Sequence, residues 1–450
     1  MMECVIDRLN DKGHGRGHLP DNKGGVVVDV KGAFIGETVT VELKKGRRGV
    51  KKGILQQIEV ASVDRVPDLC SHAAICGGCN LHGLNYTSQV AIKQQITQKL
   101  FSHPVNPILA APCATYYRNK MEFSFSEDKE KRRYLGLVME DSRGKVFNQK
   151  NCALCPEWML DTLTSIYDHW CKTSIEAYYL HTNSGSLRTL TCRSAFNTSD
   201  RMVILGLSGN PQFALSYEEL LGFKEAILRA NADCSNLSIF VVLTHIEKGT
   251  PTYTSEIHLH GKDHYEEHLL GKRFLISPQA FFQPNPNQTA ILYQTAFDLL
   301  DPKSTDRVLD LYCGVGSIGI CLKDKVASVF GVELNRYAVC DAKRNIEINH
   351  LENVDVAVGD VKEVLHHHKS EPFSIVIVDP PRAGLDEQVV ETLTAMAVEK
   401  LLYISCNPKT LSRDLILLEA KGYEVQVLQP VDQFPQTLHL EMIAILKFVG

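Results

Sequence analysis

Residues 307–319 read RVLDLYCGVGSIG. RVLDLY (307–312) is apolar enough for a buried strand. The glycines that follow end it and let the backbone come close to a ligand. A helical pattern runs on from there. The same strand-turn-helix unit recurs down the chain. Strands are expected at SVFGVEL (328–334), VDVAVGD (354–360), FSIVIVDPPR (373–382) and LLYISC (401–406), with YEVQVLQPVD and MIAILKF as two more at the end. Helices are expected at 290–300, 337–350 and 409–421. Apolar strands alternating with helices predict an α/β fold built on a doubly wound, largely parallel sheet. Ligands of such sheets sit at the carboxyl ends of the strands. Asp310, Glu333, Asp360, Asp379 and Cys406 all fall at those ends, which packing alone does not explain.

The Gly-rich turn suits a nicotinamide dinucleotide as well as a methyl donor, with Glu333 about twenty residues on to accept from both ribose hydroxyls. VDPPRAGL (378–385) separates the two. Its paired prolines remove two amide donors and stiffen the sheet edge. It resembles the fourth motif of class I S-adenosylmethionine-dependent methyltransferases. LLYISC then ends on a thiol, and Asn407 and Pro408 stop the strand. Methylating carbon 5 of a pyrimidine needs a thiolate that adds to carbon 6 and a base that removes the carbon 5 proton. Cys406 is one strand-end from DPPR, and the helix starting near Lys409 is expected to lower its pKa. Glu441, flanked by His439, enters an apolar strand and is the candidate base, against the plainer role of a solvated strand-start acid.

Residues 266–450 resemble the catalytic domain of the RNA (uracil-5-)-methyltransferase family. The match lies in SPQAFFQPN (277–285), DLYCGVGSIG (310–319), VDPPRAGL (378–385), SCNPKTLSRDL (405–415) and the shorter HLEM (439–442). The resemblance implies Cys406 as nucleophile and Glu441 as base. It implies S-adenosyl-L-methionine as cofactor, with contacts from Gln283, Tyr312, Glu333 and Asp379, beside Gly314, Gly316, Ser317 and Asp360. Many relatives have Asn where Ser317 stands. Cytosine-5 relatives carry a further cysteine beside the fourth-strand prolines, and DPPR has none, so uracil is expected.

The remaining chain divides at 62 and 265. Residues 1–62 read as a small β domain, with strands at VVVDV (26–30) and TVTVEL (38–43) and a flexible loop at GHGRGHL (13–19). It resembles a TRAM domain, an RNA-binding β-barrel. KKGRRGVKK (44–52) holds six basic residues and no acid. Lys44, Lys45, Arg47 and Arg48 there are candidate phosphate contacts, or a solvated hairpin tip. Arg118 and Lys120, in YRNKMEF (117–123), are further candidates. A helix with Val90, Ile92, Ile96 and Leu100 apolar is expected over 85–101. The central region, 63–265, mixes short strands and helices in weak patterns and opens with CSHAAICGGC (70–79). Cys70, Cys76 and Cys79, with Cys152 or Cys155 of NCALC, read about equally as a zinc or an iron–sulfur site, with unliganded thiols a third reading. The resemblance implies a [4Fe-4S] cluster with Cys152 as fourth ligand.

Fourteen cysteines in 450 residues are too sparse for a disulfide scaffold. No apolar run reaches membrane-spanning length and no secretory leader is evident, so a cytoplasmic protein is expected. The net charge of −5 does not exclude RNA, because binding depends on local patches. The resemblance implies 23S ribosomal RNA as substrate, since bacterial tRNA members are shorter and lack barrel and cluster. Archaeal-type relatives with the cluster act on tRNA, which is the alternative. Nothing asks for more than a monomer.

Overall fold

The computed structural model describes residues 1–19, 25–47, 49–247, 249–368 and 371–450. Arg48 lies outside the described residues. A closed barrel comes first: β1 (Met2–Leu9), β2 (Gly15–His18), β3 (Val27–Val30), β4 (Thr38–Arg47) and β5 (Val50–Val60), in the order β1-β2-β3-β5-β4. Cys4, Ile6, Val28, Val30, Val39 and Val41 fill it. The expected loop at 13–19 is largely strand β2. Its glycines serve close approach: a Cβ on Gly17 would lie 1.9 Å from the Val5 carbonyl oxygen.

After α1 (Tyr86–Gln98) a six-stranded sheet is built from β6 (Lys120–Glu127), β7 (Arg133–Gly136), β8 (Leu187–Ser194), β9 (Arg201–Ser208), β10 (Leu237–His245) and β11 (Tyr253–His260). Its order is β11-β10-β9-β8-β6-β7. Helices α2 (Glu157–Trp170) and α3 (Tyr217–Ala230) share one apolar core with it. A hairpin, β12 (Tyr265–Leu269) and β13 (Lys272–Ile276), and α4 (Pro286–Leu300) lead into the last unit.

That unit has seven strands: β14 (Arg307–Leu311), β15 (Ser328–Glu333), β16 (Val354–Val358), β17 (Ile375–Val378), β18 (Lys400–Ser405), β19 (Tyr423–Val431) and β20 (Glu441–Phe448). Helices α5 (Ser317–Leu322), α6 (Arg336–Ile348), α7 (Val361–His368), α8 (Glu387–Met396) and α9 (Pro408–Glu419) connect them. The order is β16-β15-β14-β17-β18-β20-β19. The first five are parallel, and β20 is antiparallel to both neighbours. Strands buried on both faces must be apolar at every position. Ile375, Ile377, Leu402, Ile404, Ile443 and Ile445 enter one core, whereas Val376, Val378, Leu401, Tyr403, Met442 and Ala444 enter the other. The first core also takes in Met202, Ile204 and Phe240 of the central sheet.

One buried acid ties the barrel to the chain that follows it, beside the pairs that Glu140 and Asp141 make with His14, Lys31, Lys12 and Lys52. Glu37 is fully buried and accepts from both Arg65 nitrogens, at 2.6 and 2.8 Å, and from the Phe34 and Ser62 amides. Burial alone would raise its pKa; Arg65 and the amides outweigh burial and hold it below the usual carboxylate range. A depressed acid stabilises the fold above its unfolded value, near pH ~4.3, and that contribution is lost as pH falls through the lower folded value. Removing one partner of such a pair costs about 3 kcal/mol or more. Glu37→Gln is therefore expected to lower hydrogen-exchange protection across β1–β5 while leaving β14–β20 protected. Equal loss in both would show that the barrel is not the unit this acid holds.

Candidate active site

The ligand edge is set by strand register. Leu311 pairs with Val332 and with Val378, and Val378 pairs with Tyr403. The next residues, Tyr312, Glu333 and Asp379, therefore stand in one row at the carboxyl ends. Tyr312 takes φ 63°, a left-handed conformation rare outside glycine, between β14 and Gly314 (φ 56°). Gly316 (φ 79°) then opens α5. The Glu333 carboxylate takes the Gly314 amide at 3.1 Å and the Asn335 amide at 2.7 Å, which ties the turn to the end of β15. Ser317 Oγ lies 3.0 Å from the buried Tyr293 hydroxyl. Asp360 is exposed and caps α7 through the Lys362 amide. Gln283 is buried on the segment before α4, where its carbonyl accepts from Asn119 Nδ2.

The second half of the edge lies across β18 and β20. Ser405 pairs with Met442 in antiparallel register. Cys406 follows Ser405 directly, and Glu441, the first residue of β20, precedes Met442. Asn407 caps α9 through the Lys409 amide, Pro408 occupies its first turn, and Asn407 Nδ2 donates to the Arg382 carbonyl at 3.0 Å. The thiol is thus held against the DPPR turn. Its pKa departs from the sequence expectation. Burial, then the charges of Glu441 and Asp379, push it up to about 11, with Arg382 opposing them only in part. Glu441 is buried and its carboxyl is raised well above the usual range, chiefly by burial, with Asp379 adding and Arg382 opposing. Asp379 is pushed up to about 7 by burial. Asp310, also buried, rises to about 7 although Gly319 donates to it. Asp310, Glu333, Asp379 and Glu441 together make a site that favours a cationic ligand.

A pocket of about 310 Å³ opens on Cys406. Arg382, Asn407 and His439 line it, with Lys93 of α1 and Leu9–Asp11 of the barrel. Sequence reasoning assigned no role to Arg382, Lys93 or the β1–β2 turn. A groove of about 900 Å³ shares Leu9, Asn10 and Asp11 with the pocket and runs between the barrel and residues 141–143. Lys31, Lys45, Lys51, Lys52 and Arg143 are among its basic walls. Lys44 is exposed and paired with Glu42, and Arg47 ends β4 at the hairpin tip.

Cys70, Cys76, Cys79 and Cys152 line one cavity of about 330 Å³. Cys155 lies buried in the central apolar core. Arg118 and Lys120 are half-buried on the wall of that cavity, and Arg118 Nε has no hydrogen-bond partner among the described residues. Among the described residues, no three His, Cys, Asp or Glu side chains are close enough together to hold a single metal ion.

Fold and site together define a class I S-adenosylmethionine-dependent methyltransferase. The sequence profile of the tRNA (Uracil-5-)-methyltransferase family matches residues 268–448. An uncharacterised RNA methyltransferase of Protochlamydia amoebophila is 41% identical over 434 residues, covering 91% of this chain and 98% of that protein. Another, from Caldanaerobacter subterraneus, is 31% identical and covers 98% and 97%. The tRNA (uracil-54, C5)-methyltransferase of Pyrococcus abyssi, solved with S-adenosyl-L-homocysteine, superposes over 99% of both chains with a TM-score of 0.78 and 26% identity. The chain belongs to the RNA uracil-5-methyltransferase family.

The raised acids give the cofactor site a pH signature. Asp379, with a pKa near 7, is mostly neutral at pH 6 and mostly ionised at pH 8. A cation bound beside it favours the ionised form, so affinity rises with pH across that range. Sinefungin, which carries an amine in place of the sulfonium, should bind roughly tenfold tighter at pH 8 than at pH 6 relative to S-adenosylhomocysteine, a neutral thioether. Calorimetry showing a pH-independent ratio would remove Asp379 from contact with the charged centre.

Proposed function

We propose that this protein methylates carbon 5 of a uridine in 23S ribosomal RNA through a covalent bond between Cys406 and carbon 6 of the base. The observation that carries the reading is a thiol just past the end of β18 and a buried carboxyl at the start of the adjoining β20, close enough for the charge of one to act on the other, beside an acid-rich cofactor edge. The donor supplies a sulfonium methyl group. Gln283, Tyr312, Gly314, Gly316, Ser317, Glu333, Asp360 and Asp379 hold it. Cys406, as thiolate, adds to carbon 6 and the carbon 5–carbon 6 electrons move onto the carbon 4 carbonyl. Carbon 5 of that enolate takes the methyl group, and the bond electrons stay on the donor sulfur. Glu441 then removes the carbon 5 proton. The double bond re-forms and the Cys406 thiolate leaves.

Burial makes both groups hold their protons too tightly to begin this sequence at neutral pH unaided. A sulfonium beside Asp379 and the Arg382 guanidinium add positive charge where it lowers both pKa values. The target base must leave its stack to reach the pocket, at a cost of a few kcal/mol. Phosphate contacts along the continuous basic groove, Lys45 among them, offset part of that cost. Lys44 lies on the same barrel strand as Lys45, and the barrel acts as a TRAM-like RNA-binding module.

We read the four-cysteine cavity as the site of a [4Fe-4S] cluster rather than of zinc. Zinc draws four sulfurs to about 2.3 Å from one point. A cuboid cluster takes its thiolates at separated corners. What supports the reading is that Cys70, Cys76, Cys79 and Cys152 line one cavity. Cys152, which lines the cavity, is the fourth ligand. Arg118 and Lys120 stand where they offset the thiolates' negative charge, and they contact RNA only from the cavity rim. Methyl transfer needs no electron, so the cluster has a structural role. One chain supplies every group used, consistent with a monomer. Among the described residues, no helix is long and apolar enough to cross a membrane.

tRNA is the second substrate reading. It is favoured by the Pyrococcus enzyme, whose full length, barrel included, is matched here. Incubation with ribosomal RNA and tRNA and a methyl-labelled donor, followed by nucleoside mapping, should place label as 5-methyluridine in 23S RNA. Label confined to tRNA selects the second reading; no 5-methyluridine in either ends both. RNA carrying 5-fluorouridine should form a denaturation-resistant adduct with the wild type and none with Cys406→Ala. Anaerobically purified protein should be brown with about four irons per chain, and Cys79→Ser should lose the colour. A colourless, zinc-loaded protein would overturn the iron assignment.

A further inference from the structure

Glu441 is approached through a loop, residues 432–440, whose hydrogen-bond partners come largely from the other half of the chain. Lys93, on α1, is buried with its partner Asp432; both side chains are fully inaccessible and Nζ–Oδ1 is 2.6 Å. The same ammonium donates to the Phe434 carbonyl at 3.0 Å and the His439 carbonyl at 2.9 Å. Its three protons are thus matched by three acceptors. Asp432 accepts the Tyr86 hydroxyl on its other oxygen at 2.9 Å. One turn along α1, Gln89 exchanges two hydrogen bonds with Gln436, each 2.9 Å, and Gln436 sits at φ 69°. One cation therefore ties the start, the middle and the end of the loop, and Leu440 alone separates its last anchor from Glu441.

A buried ion pair adds little to stability over an apolar pair of similar volume. This pair instead fixes where a loop must lie. We propose that Lys93 is a positioning residue for the methylation reaction: by bridging Asp432 to the Phe434 and His439 carbonyls it sets the place from which Glu441 reaches carbon 5. With every proton engaged, Lys93 has none to offer the substrate, although its stem lines the Cys406 pocket. The inference rests on the mechanism proposed above, in which Glu441 acts only after methyl transfer. A displaced Glu441 would stop the reaction at one stage. The base would already carry its methyl group, yet Cys406 would still be bonded to carbon 6, because its release waits on loss of the carbon 5 proton.

The test is Lys93→Met combined with Asp432→Asn, which removes both charges and leaves none unpaired. Misplacing a reacting group by about 1 Å costs on the order of 100-fold in rate. The double variant should keep the wild-type melting temperature and S-adenosylhomocysteine affinity while kcat falls roughly 100-fold. With methyl-labelled donor and ordinary uridine RNA, label should accumulate on a protein–RNA adduct that survives denaturing electrophoresis. Lys93→Gln, whose shorter neutral amide cannot hold all three acceptors, should show the same adduct with a smaller loss, and it decides the matter if the double variant does not fold. Wild-type turnover in the variants, or lost turnover without labelled adduct, would overturn the proposal. A wild-type enzyme that forms neither 5-methyluridine nor a 5-fluorouridine adduct would instead sink the underlying mechanism.

Discussion

The site depends on one reversed strand. In a wholly parallel sheet every strand begins at the edge opposite the ligand. β20 runs antiparallel between β18 and β19, so its first residue arrives at the ligand edge. That reversal brings a strand-initial acid, Glu441, to the same edge as a strand-terminal thiol, Cys406. The reversal also requires a long approach, because the chain must travel from the end of β19 to the start of β20 on the same edge. Residues 432–440 are that approach, and the fixing of this loop decides where the acid points.

The electrostatics of the edge follow from its burial. Acids at the ends of strands covered on both faces lose solvation, and each holds its proton more tightly as a result. At Cys406 burial acts in the same direction, and the charges of Glu441 and Asp379 add to it. Burial therefore sets these groups against carrying negative charge, and positive charge placed among them lowers their pKa values.

Sequence resolved the last 185 residues well for a physical reason. Strands buried on both faces are continuous apolar runs, and the reactive residues break those runs at their ends, as Cys406 does after LLYIS and Asp379 after IVIV. Elsewhere periodicity misled. Over 85–101 the apolar set Val90, Ile92, Ile96 and Leu100 marked one face of a helix, yet the buried residues of α1 are Gln89, Lys93 and Thr97. A face that packs on a loop must be polar, because the loop's carbonyls and amides need partners. The groove and the Cys406 pocket were equally hidden, since Leu9–Asp11, residues 141–143 and α1 meet only in three dimensions. β2 was read as a loop because glycine marks flexibility and close packing alike.

The two halves of the chain share one framework around the active site. Gln433 is held from within the catalytic unit, by Asn285 and Thr289. Beyond it the partners change. Gln436 takes the Asn80 and Leu81 amides, one and two residues after Cys79, and Pro435 takes the Tyr117 hydroxyl at 3.0 Å. The segment around Tyr117 donates in turn to the carbonyls of Ala153 and Leu154, beside Cys152, and Asn119 bonds the carbonyls of Gln283 and Pro284. The loops that carry the four cavity cysteines are thus one or two hydrogen bonds from the approach to Glu441 and from the segment bearing Gln283. Those hydrogen bonds link the cysteine-bearing loops to the approach to Glu441 and to the segment bearing Gln283 within one framework.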